Sequence, residues 1–102
     1  MSLYGCRAIP TPHLDRLARE GVVFESAISS SPICGPARAG MMTGLYPTQH
    51  GVWANGHAFR PGLEFLAERM NEAGYQTAAF GKLHHEPVTD TKGFKHAQLM
   101  EE

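Results

Sequence analysis

Residues 34–44 read Cys34-Gly35-Pro36-Ala37-Arg38-Ala39-Gly40-Met41-Met42-Thr43-Gly44, and the fold turns on how this stretch is entered and left. Proline suits the first turn of a helix, where its missing N–H would have had no intrahelical partner, and glycine takes the left-handed conformation that ends one. The stretch therefore predicts a helix that begins around Gly35-Pro36, carries Ala37 to Thr43 and stops at Gly44. Cys34 then sits at the positive end of the helix, with Arg38 one turn further on. A thiol so placed is either a buried structural cysteine or a nucleophile activated by the helix terminus and Arg38. Met41 and Met42, in mid-helix, read as core.

Working outward, residues 22–28 contain Val22-Val23-Phe24 and run into Ala27 and Ile28, which predicts a strand that Ser29, Ser30, Ser31 and Pro32 end. Before it, Thr11-Pro12 reads as a helix cap and first turn, with Leu14, Leu17 and Ala18 on one face until Gly21. After Gly44, residues 45–62 carry turn formers throughout, including Asn55-Gly56, and read as a long surface loop. Leu63, Leu66, Ala67 and Met70 mark a third helix ending at Gly74, and Tyr75 to Phe80 a second strand. The final 20 or so residues show no clear period. The order helix, strand, helix, helix, strand predicts an α/β fold with a parallel sheet and crossover helices. In such folds ligands bind at the carboxyl ends of strands, and both Cys34 and Lys82 fall just after a predicted strand.

Composition excludes several function classes. With 102 residues, 42% of them hydrophobic and 19% charged, the chain is one small domain or a part of one, and neither disorder nor a collagen-like repeat fits. A formal charge of -1 gives no basic face for phosphate neutralisation, so no nucleic-acid partner is expected. Cys6 and Cys34 can form at most one bridge, which is no disulfide scaffold, and Cys6 reads as structural. No apolar run approaches the ~20 residues of a membrane span, and Met1 to Tyr4 do not resemble a secretory signal. If Met1 is the true start, these features predict a cytoplasmic protein without a membrane partner.

The segment from Cys34 to Gly44 resembles the signature of the type I sulfatases, C-x-P-S-R followed by four residues and T-G, in which the cysteine is oxidised after translation to formylglycine. Upstream, TPHLDRLAREGVVFESAISSSPIC is similar to the family's TPNLDRLA-EG-F-NAY segment. Downstream, GLYPTQHGV and GYQTAAFGKLHH are similar to its GLYP-HGV and GY-TA-GKWH segments, so the resemblance covers roughly residues 10–85. Ala37 stands where the family commonly has Ser, and Gly40 where Ala or Ser is usual. C-G-P-A-R is also similar to the signature of the phosphonate monoester hydrolases, a sister group that uses the same aldehyde on phosphorus esters.

The resemblance implies an alkaline-phosphatase-like domain, of which residues 1–102 would be the amino-terminal portion, lacking a first strand and a larger carboxyl-terminal remainder. It implies hydrolysis of a sulfate ester after a formylglycine-generating enzyme has converted Cys34. In the family mechanism one hydroxyl of the hydrated aldehyde attacks sulfur, and deprotonation of the other then expels sulfate. Arg38 would orient the formylglycine, Lys82 contact its hydroxyl and the sulfate, and His84 serve as base, with Lys82 and His84 both binding substrate. One residue apart in an extended segment, Lys82 and His84 would point the same way.

A divalent cation completes the family site, with Ca2+ or Mg2+ in sulfatases and often Mn2+ in the phosphonate hydrolases, and residue 34 as formylglycine is one of its ligands. The family's remaining ligands are Asp-Asp and Asp-Asn or Asp-His pairs, yet the only aspartates in this chain are Asp15, on the first helix, and Asp90, in a polar stretch with no partner carboxylate. A hard cation needs several oxygen ligands, so the isolated chain is expected to be inactive. Phosphonate or phosphate ester hydrolysis by the same formylglycine, and a non-catalytic fragment, are the alternatives. His50 and Gly51 read as a structural loop, and His85 as structural despite lying beside His84. Trp53 and Tyr46 would either line a substrate mouth or pack.

Overall fold

A computed structural model describes residues 1–6 and 8–100. Among the described residues a 3-10 turn (Ser2–Tyr4) is followed by four α-helices and two strands in the order α1 (Pro12–Glu20), α2 (Cys34–Thr43), α3 (Pro47–His50), α4 (Leu66–Glu72), β1 (Ala78–Gly81) and β2 (His96–Leu99). The strands pair in parallel, Ala78 opposite His96 through Gly81 opposite Leu99.

Helix α1 has the expected bounds, with Pro12 in its first turn. Ser2 ties down its start: its Oγ accepts from Thr11 N at 2.9 Å and donates to Asp15 Oδ2 at 2.6 Å. Asp15 is thus a bracing residue of the first turn. Helix α2 begins one residue earlier than expected, at Cys34, and closes on Gly44, whose φ of 71° lets its N–H reach Gly40 O. A Cβ on Gly40 would lie 2.6 Å from Ser30 Oγ and 3.2 Å from Leu45 O. That close approach accounts for glycine where the resembling family has a larger residue.

Several expectations fail. Residues 22–28 form no strand, and Val22, Phe24 and Ile28 are 80%, 71% and 91% exposed. β-formers are favoured on a pleated surface with a ladder beside it and a core beneath it, and this segment meets neither among the described residues. It lines instead, with Leu14 and Leu17 of α1, an open apolar groove of about 420 Å³. Met41 is 71% exposed, so of the adjacent methionines only Met42 is even half-buried. The segment expected to be loop contains α3, where Pro47 opens a single turn and Gly51, at φ 82°, ends it.

The β1 to β2 connection is irregular rather than helical, and β2 occupies a region where no period is visible. α4 starts three residues later than the apolar spacing predicts; Glu68 fixes that start by accepting from Phe65 N at 2.9 Å. From α4, Asn71 accepts from Thr77 Oγ1 at 2.8 Å and donates to Gly93 O at 2.6 Å, so one side chain holds the entries of both strands. The buried hydrophobic residues are Ala39, Val52, Ala67, Ala79 and Leu83. Of these, Ala39 lies on α2, Ala67 on α4 and Ala79 on β1, with Val52 just after α3 and Leu83 in the segment that follows β1.

Candidate active site

Cys34 opens α2 and is exposed, as is Cys6; both thiols are free, so the one conceivable bridge is not formed. The Cys34 Sγ lies 3.3 Å from Asn55 Nδ2 and 3.4 Å from Asn55 Oδ1, and the same Oδ1 accepts from Gly35 N at 2.9 Å. The Asn55 hydrogen bond is the main influence that holds the thiol below its ordinary pKa; slight desolvation opposes it, and the Gly35 and Cys34 N–H groups and the charge of Lys82 assist. The thiolate form of Cys34 is thereby favoured.

Arg38, half-buried one turn along α2, donates from its guanidinium to Lys82 O at 2.6 Å. This bond ties the helix that Cys34 opens to the segment after β1. Arginine suits the task because its planar fork keeps several donors in fixed directions while one is committed. Beyond Lys82 the chain does not stay extended, since His84 has φ 60°. Lys82 and His84 consequently do not share a side by simple alternation, as an extended segment would require. Histidine tolerates this region better than most residues, yet such a conformation costs energy and is found preferentially where a side chain must be aimed.

The neighbouring residues brace this segment. His85 is buried and meets the Phe59 ring edge-on, with centroids 5.1 Å apart. Lys92, only 7% exposed, pairs with Asp90 at 2.6 Å, donates to Glu86 O, and stands 5.2 Å above Phe59 and 5.6 Å above Phe65. Asp90 is held below its ordinary pKa by these Lys92 bonds. His50 is fully buried at the end of α3, accepts from Val52 N at Nδ1 (3.1 Å), and is pushed down in pKa by desolvation. His50, His85 and Asp90 are thus scaffold. Tyr46 and Trp53 are exposed. Asn55 is the site residue missing from the sequence reading; its only signal there is a turn, because its contact with Cys34 is made across the fold.

Among the described residues no three His, Cys, Asp or Glu side chains come together to hold a metal ion, and none of the helices is long and apolar enough to cross a membrane. Asp15 and Asp90 are tied to Ser2 and Lys92. The donors present therefore do not form a cation shell.

Comparison with known proteins agrees with the motif and the geometry. The family model described as Sulfatase matches residues 1–101. The uncharacterized sulfatase YidJ of Escherichia coli is 41% identical over 81 residues, which are 79% of this chain and 16% of YidJ. The N-acetylglucosamine-6-O-sulfatase of Bacteroides thetaiotaomicron is 34% identical over 100 residues, 98% of this chain and 18% of that protein. The chain thus spans less than a fifth of the length of these curated relatives. The crystal structure of the phosphonate monoester hydrolase of Agrobacterium radiobacter superposes with a TM-score of 0.85 at 30% identity, covering all of this chain and 23% of that one. That match gives the α/β chain an alkaline-phosphatase-like fold. With a cysteine in the signature at the head of α2, and a family model that spans nearly its whole length, the chain belongs to the sulfatase family.

Proposed function

We propose that this chain is the nucleophile-bearing part of a sulfatase catalytic domain, and that the domain hydrolyses sulfate esters through a formylglycine made from Cys34. The observation that carries the reading is the convergence of exposed Cys34 with the Arg38 to Lys82 link, which sets the head of α2 beside the segment after β1. A hydrated formylglycine supplies two hydroxyls on one carbon, one to attack sulfur and one whose deprotonation releases sulfate. Arg38 fixes the Lys82 backbone against α2. Lys82 places its positive charge where the transferring group becomes more anionic, the kind of preorganised cation that lowers such barriers most. His84, aimed by its left-handed backbone, takes the proton whose loss releases sulfate.

A divalent cation, Ca2+ with Mg2+ or Mn2+ as alternatives, belongs to this proposal only with ligands from outside the described residues. An oxygen at residue 34 would be one ligand, where Ca2+ takes about six to eight.

Co-expression with a formylglycine-generating enzyme tests the central claim. The peptide that contains residue 34 should lose sulfur and gain an aldehyde by mass spectrometry. Unmodified Cys34, under conditions that convert a control substrate, would remove the proposal. The close superposition on a phosphonate monoester hydrolase favours one second reading, hydrolysis of phosphonate or phosphate esters. Paired assays of the catalytic domain on an aryl sulfate and a phosphonate monoester separate the two, and the larger kcat/KM identifies the substrate class.

A further inference from the structure

Gly35 stands second in the signature, buried in the first turn of α2. Its φ lies outside the left-handed region, so the backbone does not need glycine, and alanine is the better helix former at such a position. What glycine does supply is room. A Cβ at residue 35 would stand 2.7 Å from Asn55 Oδ1, while Asn55 Cα, at 3.5 Å, is at ordinary contact distance. A methyl group there would turn the Asn55 carboxamide away and leave the Asn55 backbone in place.

That carboxamide is the group in direct contact with the Cys34 sulfur, and its Oδ1 is oriented by Gly35 N. We propose that Gly35 and Asn55 are a coupled positioning pair for the reacting atom of residue 34: the missing Cβ admits the Asn55 carboxamide, which holds that atom between an N–H donor and a carbonyl acceptor. On a hydrated formylglycine the same two groups would engage one of the two hydroxyls. Nδ2 donates to its oxygen and Oδ1 accepts its O–H, which leaves that hydroxyl held and the other turned toward substrate. The catalytic consequence rests on the proposed function, whereas the contact itself does not.

The test therefore begins with the unmodified 102-residue chain. The rate of Cys34 alkylation by iodoacetamide is followed against pH, with peptide mapping to separate Cys34 from Cys6 and circular dichroism to verify the helices. Asn55→Ala should move the Cys34 midpoint to higher pH and slow alkylation at neutral pH, because the donor that favours the thiolate is gone. Gly35→Ala should produce the same shift, and the double variant no further shift. Midpoints unchanged in both single variants, or shifts that add in the double variant, would overturn the coupling. Because Asn55 also belongs to a turn, Asn55→Ser is run beside Asn55→Ala; a shift in neither, with helicity intact, counts against the proposal. Failure of the sulfatase reading would appear separately, as a Cys34 that shows the coupling and is never converted.

Discussion

Arg38, Lys82 and His84 differ in when their interactions matter. In the proposed mechanism Lys82 acts on charge that builds as the S–O bond breaks and Arg38 holds the Lys82 backbone in place for it, so loss of either should lower kcat far more than it raises KM. In a catalytic domain that carries this chain, Arg38→Ala and Lys82→Ala should each lower kcat by about 10²-fold or more, as measured by steady-state kinetics. On the same proposal His84→Ala removes a base that acts after attack, so sulfate should remain on the residue-34 peptide of the quenched enzyme. A His84 variant that turns over at the parent's rate with no retained sulfate would make His84 structural. His50 gives a residue-scale test of another kind. Its buried imidazole has a lowered pKa in the folded chain, so the unfolded state binds the proton more readily. The stability this confers is complete above the ordinary histidine pKa of about 6.5 and is lost as pH falls through the lower folded value. His50→Asn keeps an acceptor near Nδ1 and cannot charge; urea unfolding between neutral and acid pH should show the acid slope in the parent and a weaker one in the variant.

At the scale of elements, α2 is the part whose precision matters most, because its first residue is the proposed nucleophile and its end sets the turn into α3. Gly44 closes it at φ 71° with nothing within 4 Å of a built Cβ, so only backbone strain opposes a side chain there. Gly44→Ala should destabilise the chain by about 1–2 kcal/mol, and Gly44→Asn by less, since asparagine enters the left-handed region more easily. Thermal or urea midpoints measure both. Equal midpoints for glycine, asparagine and alanine would mean that the helix ends elsewhere in solution. The bracing of β1 and its successor is of a different type: Asn71 links the strand entries, and Lys92 inside the Phe59, Phe65 and Asp90 cluster fixes the return toward β2. Tertiary contacts of this kind compensate for two strands that are each only one short run.

For the whole molecule, the distribution of apolar surface is uneven. Among the described residues the buried hydrophobic ones are few, while Leu17, Val22 and Phe24 are 65%, 80% and 71% exposed and line one groove with Leu14 and Val23. An exposed apolar area of this kind favours association. The 102-residue chain should bind a hydrophobic dye such as ANS and self-associate as its concentration rises. Val22→Ser should reduce both effects and shift stability by no more than about 0.5 kcal/mol, the range for exposed positions. A large loss of stability in Val22→Ser would show instead that this segment is packed in solution.

What the sequence by itself determined was local. Pro12 and Pro36 each place a helical first turn, Gly44 a left-handed ending, and the Cys34, Pro36, Arg38, Lys82 and His84 pattern the family. These features are legible because each depends on the covalent limits of one residue or on spacing within one turn. Residues 22–28 show where such reading ends: Val22, Val23 and Phe24 fit a strand, but a strand exists only with a neighbour to complete its hydrogen bonds. The pairing of β2 with β1, the left-handed turn at His84 and the approach of Asn55 to Cys34 were decided by tertiary structure alone. Each is a contact between residues far apart in the chain, or a strain that such contacts sustain, and no periodicity in the sequence records it.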